Sequence, residues 1–356
     1  MFVDVDEHRK AVQTFAETVH VKPPTATTQP DWDEAADPDQ FLVDPLPTAA
    51  TTTTTQPSFP SDDDEDTSPD TGSSNTGRID AEDFAALNGT LGVTYSPYNH
   101  DGSCKSARDV FSDVQTLSGQ YGLIRIYGVD CNQVATVMAA ASSTNVKLFL
   151  GIFNLDNLQD QISTLLEAVE ASIAAGGPGW AMVDTVSVGN ELVNNGQASV
   201  KQVMEALAAA RASLRSAGYG GPVVTVDSFL AVEQNPELCD GSDYCAINVH
   251  PFFDANTAPD QAGNFVSRKV MDVREVLADP NQRVVVTESG WPWQGNANGL
   301  AVPGKANQVT AIRAIVADYG AYNPAGLILF TAFDDAWKTA EAATFYAEQY
   351  WGVMDY

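Results

Sequence analysis

The sequence predicts an α/β protein: a (β/α)8 TIM barrel over residues 89–356, preceded by a disordered Thr/Pro-rich acidic tail over residues 1–88. Three observations support this division. Eight short apolar runs begin at Leu91, helical stretches separate most of them, and about 265 residues is the usual size of one such barrel.

The eight runs are apolar at consecutive positions, which is typical of strands buried on both faces of a parallel sheet. They are Leu91–Tyr98, Leu123–Tyr127, Lys147–Phe153, Thr185–Gly189, Val223–Ser228, Ala246–Val249, Arg283–Thr287 and Gly326–Phe330. A doubly wound open sheet is the alternative. It normally has a glycine-rich phosphate turn after the first strand, where this chain has Ser96-Pro97-Tyr98.

Helical periodicity is clearest over Ser199–Ala217, where apolar residues recur from Val200 at i, i+3, i+4 and i+7. Similar patterns predict four more helices, over Asn132–Ala141, Asp156–Ala175, Asn264–Ala278 and Lys305–Tyr319. The segment between the fifth and sixth runs contains Pro236 and Gly241, so we expect at most a short helix there.

The tail has too few apolar residues to offset the entropy of ordering, since residues 21–77 hold 12 Thr and 9 Pro. Ser/Thr with Pro is typical of an O-glycosylated stalk, and a plain solvated linker is the alternative. Residues 6–20 have the pattern of one short helix. A sequon at Asn88-Gly89-Thr90 and the stalk composition predict a secreted or cell-wall protein, although the first ten residues show no signal peptide.

The formal net charge is −29, and residues 1–88 hold 19 acidic against 4 basic residues. Such a surface repels phosphate backbones and anionic lipids, so neither nucleic acid nor a membrane is the expected partner. A neutral polysaccharide is not repelled. No apolar run is long enough to cross a membrane. We expect a monomer.

Four cysteines permit two disulfides, with Cys239 and Cys245 closing a small loop and Cys104 and Cys131 left to pair. Four reduced thiols are the alternative. Histidine is scarce and no CxxC is present, so the sequence predicts no metal and no cofactor.

Two glutamates follow or end predicted strands, Glu191 at the fourth and Glu288 at the seventh. Barrel enzymes carry their reactive groups at the carboxyl ends of strands, and glycosidases need a pair of carboxyl groups. One protonates the leaving oxygen and the other attacks the anomeric carbon or activates water. Taken singly, either glutamate could simply end a strand; together, with Asn190 and Trp291 beside them, they predict a catalytic pair.

Six motifs carry a resemblance to fungal members of glycoside hydrolase family 17, in the cell-wall glucanase and glucanosyltransferase-like subgroup. They span nearly the whole barrel: Gly92–Tyr98, Arg125–Gly128, Gly189–Glu191, Asn248–Phe253, Val286–Pro292 and Phe333–Lys338. The resemblance implies a retaining mechanism on β-1,3-glucan, of the endo-1,3-β-glucanase type, with glucanosyl transfer as a further outcome. It also implies that Glu191 is the acid/base and Glu288 the nucleophile.

Other residues near strand ends are candidates for substrate binding. Tyr127 is expected to hydrogen-bond the nucleophile or a sugar hydroxyl, and His250 is expected to contact the substrate, with structural roles as the alternative for both. Asn190 is expected to hold a sugar hydroxyl near the acid. Aromatic rings at Tyr95, Trp291 and Trp337 are candidate stacking platforms, although such rings also fill cores. Asp335 and Lys338 resemble a Glu and a Lys that flank the family's site, and the shorter Asp335 puts its own contact in doubt.

Two rival interpretations remain open at the level of sequence. One is a non-catalytic wall protein that binds glucan, suggested by the stalk-like tail. The other is a barrel hydrolase of a different β-linked glycan, because paired glutamates at strands four and seven occur in several such families.

Overall fold

The structure is a computed structural model and describes residues 90–354. The predicted tail, its short helix over residues 6–20 and the sequon asparagine Asn88 lie outside these residues. Within them, no helix combines the length and the apolar character needed to cross a membrane.

Eight parallel strands close into a barrel in chain order, so the last strand pairs with the first. The strands are β1 (Gly92–Thr94), β2 (Leu123–Arg125), β3 (Lys147–Ile152), β4 (Val183–Asn190), β5 (Val223–Ser228), β6 (Cys245–Asn248), β7 (Val284–Ser289) and β8 (Leu327–Leu329). Each lies at one of the eight apolar runs. The (β/α)8 prediction is therefore confirmed, and the open doubly wound alternative is wrong.

Helices follow every strand from β1 to β7. They are α1 (Ala107–Ser118), α2 (Gln133–Ala141), α3 (Leu158–Ala174), α4 (Val200–Ser216), α5 (Phe229–Gln234), α6 (Glu237–Asp240), α7 (Ala262–Val276) and α8 (Lys305–Ile315). Ser199 begins α4 with a capping box, because its hydroxyl accepts from the Gln202 backbone while the Gln202 side chain accepts from the Ser199 backbone.

The helical predictions are confirmed, with three differences. α1 was not among the predicted helices, although Val110, Val114 and Leu117 form its buried face. The segment between β5 and β6 holds two short helices rather than at most one. The last predicted helix changes at Ile315 into a single π turn over Val316–Gly320.

Alternation along the strands separates two apolar layers. In β7, Val285 belongs to the cluster that fills the barrel interior, whereas its neighbours Val284 and Val286 belong to the larger core under the helices. Both faces of each strand are therefore buried, which explains the consecutive apolar runs.

Both predicted disulfides form, one between Cys104 and Cys131 and the other between Cys239 and Cys245. The first joins the loop after β1 to the loop after β2. The second ties α6 to the start of β6. The alternative of four reduced thiols is wrong.

The strand register shifts near the carboxyl ends of three strands. The shifts lie between Ser187 and Asn190 in β4, at Asn248 in β6, and between Val286 and Ser289 in β7. Irregularities of this kind turn side chains away from the regular alternation and are common beside active sites. Here they concentrate polar side chains at one rim of the barrel.

Candidate active site

The two predicted catalytic glutamates lie at the same rim, one directly after β4 and one near the end of β7. A chain of polar contacts connects them. Arg125 donates to both Glu288 and Asn190, and Asn248 donates to both Asn190 and Glu191. The structure thus brings the two carboxyl groups into one continuous polar network.

Glu288 is buried and is surrounded by donors. Its Oε1 lies 2.9 Å from Arg125 Nη1 and 2.9 Å from the Tyr127 hydroxyl, and its Oε2 lies 3.2 Å from His250 Nε2. Burial opposes ionisation, but the Arg125 charge and the bonds from His250 and Tyr127 outweigh it and lower the pKa of Glu288 to about 2. Glu288 is therefore an anion over the whole ordinary pH range, as a nucleophile requires.

Glu191 has a different environment. Asn248 donates to its Oε1 at 2.9 Å, and Asn194 lies 3.4 Å from its Oε2. Burial and the nearby charge of Glu288 raise the pKa of Glu191 to about 7. A carboxyl group that keeps its proton up to this pH is suited to act as a general acid.

The backbone at Glu191 is left-handed. Glu191 has a φ of 56°, and Gly189, two residues earlier, has a φ of 84°. The β4 strand therefore kinks as it leaves the barrel, and the Glu191 N–H bonds to the carbonyl of Val226 on β5 at 2.9 Å. Residues in this sparsely populated region are held there by their surroundings and are often functional.

His250 lies two residues after Asn248, which ends β6. Tyr127 likewise lies two residues after Arg125, which ends β2. A spacing of two directs side chains to the same face of an extended segment. Both predicted residues contact Glu288, as described above. Asn190, also predicted, offers its amide oxygen to Arg125 at 2.8 Å and to Asn248 at 3.3 Å.

The predicted residues after β8 form a second cluster. Lys338 Nζ lies 3.0 Å from Asp335 and 3.8 Å from Glu348, and the Trp337 indole donates to Asp335 at 3.0 Å. Burial disfavours the charged lysine, but the two carboxylates outweigh that effect and raise its pKa. Lys338 is therefore a cation held in place by its two carboxylate partners. Its charge also interacts favourably with the negative charge of Glu288.

Two of the predicted stacking aromatics are corrected by the structure. Trp291 is fully buried against Phe252, and its indole donates to the Val302 carbonyl. Tyr95 is 1% exposed and donates to Asp113. Neither ring has a face open to a sugar, because Phe333 and Lys105 pack on Tyr95, and Phe252 packs on Trp291.

Other rings near the rim keep accessible surface. Trp337 is half-buried and meets Tyr98 edge to face, with 4.9 Å between ring centroids. Phe253 is 42% exposed and packs near His250. Trp337 is therefore the predicted platform that the structure leaves available.

The sequence interpretation gave no role to Arg125, Asn248 or Asp227, all of which support the glutamates. Each lies inside an apolar strand run, whereas most of the predicted site residues follow a run. The sequence did hold a signal for Arg125. A charged residue in a strand that is buried on both faces requires a partner of opposite charge, and Glu288 is such a partner.

Comparison with known proteins identifies the family of the chain. Residues 92–352 match the family model of the BtgE/BtgC glycoside hydrolase domain. The chain is 46% identical over 275 residues to a protein named probable family 17 glucosidase SCW4, from Saccharomyces cerevisiae, covering 77% of this chain and 67% of that protein. It belongs to glycoside hydrolase family 17.

Two further relatives are similar. Probable family 17 glucosidase SCW10 of Saccharomyces cerevisiae is 47% identical over 266 residues, which cover 75% of this chain and 65% of that protein. The cell surface mannoprotein MP65 of Candida albicans is 43% identical over 265 residues, covering 74% and 66%. The chain thus spans about two thirds of the length of these relatives.

Solved structures share the fold. The family 17 β-1,3-glucanosyltransferase from Rhizomucor miehei superposes with a TM-score of 0.59 at 20% identity, covering 74% of this chain and 92% of that chain. An endo-laminarinase from Formosa gives a TM-score of 0.59 at 15% identity, covering 77% and 85%. At these identities the likeness concerns the barrel alone.

Proposed function

We propose that this protein is a retaining glycosidase that cleaves β-1,3-glucan at the fungal cell surface, with Glu288 as nucleophile and Glu191 as acid/base. The observation that carries the proposal is that the pKa values of two carboxyl groups at one rim are shifted in opposite directions. The pKa of Glu288 is lowered to about 2 and that of Glu191 is raised to about 7. Two groups driven apart in this way divide the roles of anion and acid.

In the first step, Glu191 protonates the glycosidic oxygen while Glu288 attacks the anomeric carbon. The bond to the leaving glucan breaks and a glycosyl ester forms on Glu288, so that its negative charge disappears. Because that charge helps to raise the pKa of Glu191, its loss lowers this pKa, and Glu191 stays ionised in the intermediate. It is then suited to accept a proton as the base of the second step.

In the second step, Glu191 takes a proton from the acceptor as the acceptor oxygen attacks the ester. Water as acceptor gives hydrolysis, and a glucan hydroxyl gives transglycosylation. Retention requires the two carboxyl groups to lie about 5–5.5 Å apart, with no room for a water between nucleophile and sugar. The contacts of Arg125, Tyr127 and His250 hold the Glu288 side chain in place.

The choice of β-1,3-glucan rests on family membership and on the names of relatives. Those relatives are named glucosidases and a cell surface mannoprotein, which supports a cell-surface role in wall remodelling. Neutral glucan also suits a chain of strongly negative charge. We also propose that the whole protein is a monomer, that glucan is its partner, and that it divides into a tail over residues 1–88 and a barrel over 89–356.

The proposal is tested by incubating the full chain with a defined laminari-oligosaccharide and determining product lengths by mass spectrometry. Shorter products indicate hydrolysis, and products longer than the substrate indicate transfer. Glu288→Gln is expected to abolish both, whereas the surface variant Glu205→Gln on α4 leaves them unchanged.

Binding of the oligosaccharide without any new chain length contradicts the enzymatic proposal and favours a glucan-binding wall protein. Equal cleavage of β-1,4- or β-1,6-linked oligosaccharides contradicts the linkage.

A further inference from the structure

A buried carboxylate without a cationic partner lies beside the acid/base. Asp227 is 1% exposed and occupies the next-to-last position of β5. Within residues 90–354, no lysine, arginine or histidine forms an ion pair with it. Burying an unpaired carboxylate is costly, so its retention at this position calls for a reason.

The partners of Asp227 are backbone N–H groups of the turn that carries Glu191. Its Oδ2 accepts from Val193 at 3.0 Å, and its Oδ1 accepts from Asn194 at 3.2 Å. A third bond, 2.9 Å long, comes from the N–H of Ser228 on its own strand. Two of the three bonds therefore connect β5 to the segment after β4.

That segment needs external support. Glu191 has a left-handed φ of 56°, which a residue with a side chain rarely adopts. Its N–H is fixed by the Val226 carbonyl at 2.9 Å. Together with the bonds from Val193 and Asn194 to Asp227, this makes three attachments of residues 191–194 to the end of β5.

Side-chain hydrogen bonds also connect the end of β5 to Glu191 through Asn194. Ser228 Oγ donates to Asn194 Oδ1 at 2.8 Å, and Asn194 Nδ2 lies 3.4 Å from Glu191 Oε2. Asp227 thus holds the backbone of Asn194, whose side-chain amide approaches Oε2 of Glu191. Asn248 holds the other oxygen, Oε1, independently.

The charge of Asp227 also affects the pKa of Glu191. The titratable groups that act on Glu191 are Glu288, His250 and Asp227, and the negative charge of Asp227 favours the protonated form of Glu191. Burial raises the pKa of Asp227 itself, and its three backbone bonds oppose that rise.

We propose that Asp227 is a positioning residue for the acid/base: by holding the 191–194 turn, it fixes the direction in which Glu191 presents its proton to the leaving oxygen. The inference rests on the proposed function. It differs from a purely structural role in one respect, because a misdirected acid harms only those substrates whose leaving group needs a proton.

The test compares kcat/KM of Asp227→Asn on two substrates, a laminari-oligosaccharide and 2,4-dinitrophenyl β-laminaribioside, whose leaving group departs without protonation. We expect a loss of about 10- to 100-fold on the oligosaccharide and less than about threefold on the aryl glycoside. The alkaline limb of the oligosaccharide pH profile is expected to move to lower pH, because a charge that favours protonated Glu191 has been removed.

Asp243→Asn is the matched control. Asp243 accepts from the N–H of Val223 at the opposite end of the same strand, 2.8 Å away, and pairs with Arg211 and Arg215. Any loss in this variant is expected to be equal on both substrates. If Asp227→Asn does not fold, Asn194→Ala removes the side-chain connection and is expected to show the same selectivity at smaller magnitude.

An equal loss on both substrates, or no loss, in Asp227→Asn overturns the inference, as does an unselective Asn194→Ala where the first variant is unfolded. These outcomes leave the proposed function intact, since the wild type still cleaves. A wild type that cleaves neither substrate contradicts the proposed function instead.

Discussion

Arg125 and Glu288 form a buried ion pair at the centre of the barrel mouth, with 2.9 Å between Nη1 and Oε1 and side chains that are 1% and 7% exposed. The same guanidinium packs against the rings of Tyr127 and Phe149. The pair connects β2 with β7 across the barrel interior. It supplies the largest favourable contribution to keeping Glu288 ionised.

Arg125→Met is predicted to harm both activity and stability. Without the cation, the pKa of Glu288 rises, so the acid limb of the kcat/KM profile moves to higher pH. Removing one member of a buried pair costs about 3–5 kcal/mol of unfolding free energy, measured by urea denaturation at pH 7. The double variant Arg125→Met, Glu288→Gln is expected to recover part of that loss, because no unpaired charge remains. A double variant as unstable as the single one contradicts the account.

The pH profile of the wild type is predicted to be bell-shaped. In the proposed mechanism, activity requires ionised Glu288 and protonated Glu191, whose pKa values are about 2 and about 7. The kcat/KM on laminari-oligosaccharide should therefore fall as pH rises through about 7, and Glu191→Gln should remove this limb together with most activity. A wild-type profile that stays flat from pH 6 to pH 9 contradicts the assignment of Glu191.

Glu191 is also predicted to lower stability at neutral pH. Its folded pKa lies above the unfolded value of about 4.3, so its unfavourable contribution is absent below that pH and grows until pH reaches about 7. Allowing for partial exposure of the side chain, Glu191→Gln is expected to stabilise the protein by about 1–2 kcal/mol at pH 8 and by much less at pH 4. Urea denaturation at the two pH values measures the difference, and equal effects at both would count against it.

Tyr127→Phe removes one donor to the nucleophile while keeping the ring. The hydroxyl helps to lower the pKa of Glu288, so its loss should move the acid limb upward and reduce kcat by about 10-fold, with a smaller change in KM. Steady-state kinetics from pH 3 to pH 7 measure both effects. Tyr322→Phe is the control, since Tyr322 is 87% exposed; an equal effect in the two variants would exclude a specific role of Tyr127.

The two tryptophans near the rim are predicted to behave differently. Trp291→Ala should cost about 3–5 kcal/mol of stability because it opens a cavity beside Phe252. Trp337→Ala should mainly raise KM for laminari-oligosaccharide, since this half-buried ring can stack on a sugar. Thermal unfolding and steady-state kinetics on both variants distinguish the two roles. A raised KM for Trp291→Ala in a fully folded protein would indicate that Trp291 binds the substrate.

The sequence alone predicted the barrel, its eight strands and the two glutamates, because these follow from local apolar patterns and from where each strand ends. It could not separate Trp291 from Trp337. The burial of Trp291 depends on Phe252, about 40 residues away in the loop after β6, which no local pattern reports. Arg125 and Asn248 were missed for a related reason, since their partners are set by strand pairing around the closed barrel.

The central claim is that Glu288 attacks the sugar and carries it as a covalent ester. The most direct measurement is intact-protein and peptide mass spectrometry after incubation with an activated 2-deoxy-2-fluoro-β-laminaribioside, which slows release of the intermediate. We predict one added glycosyl group per chain, mapped to the peptide that contains Glu288 and absent from Glu288→Gln. Turnover of glucan without any adduct, or an adduct on another residue, would contradict the account.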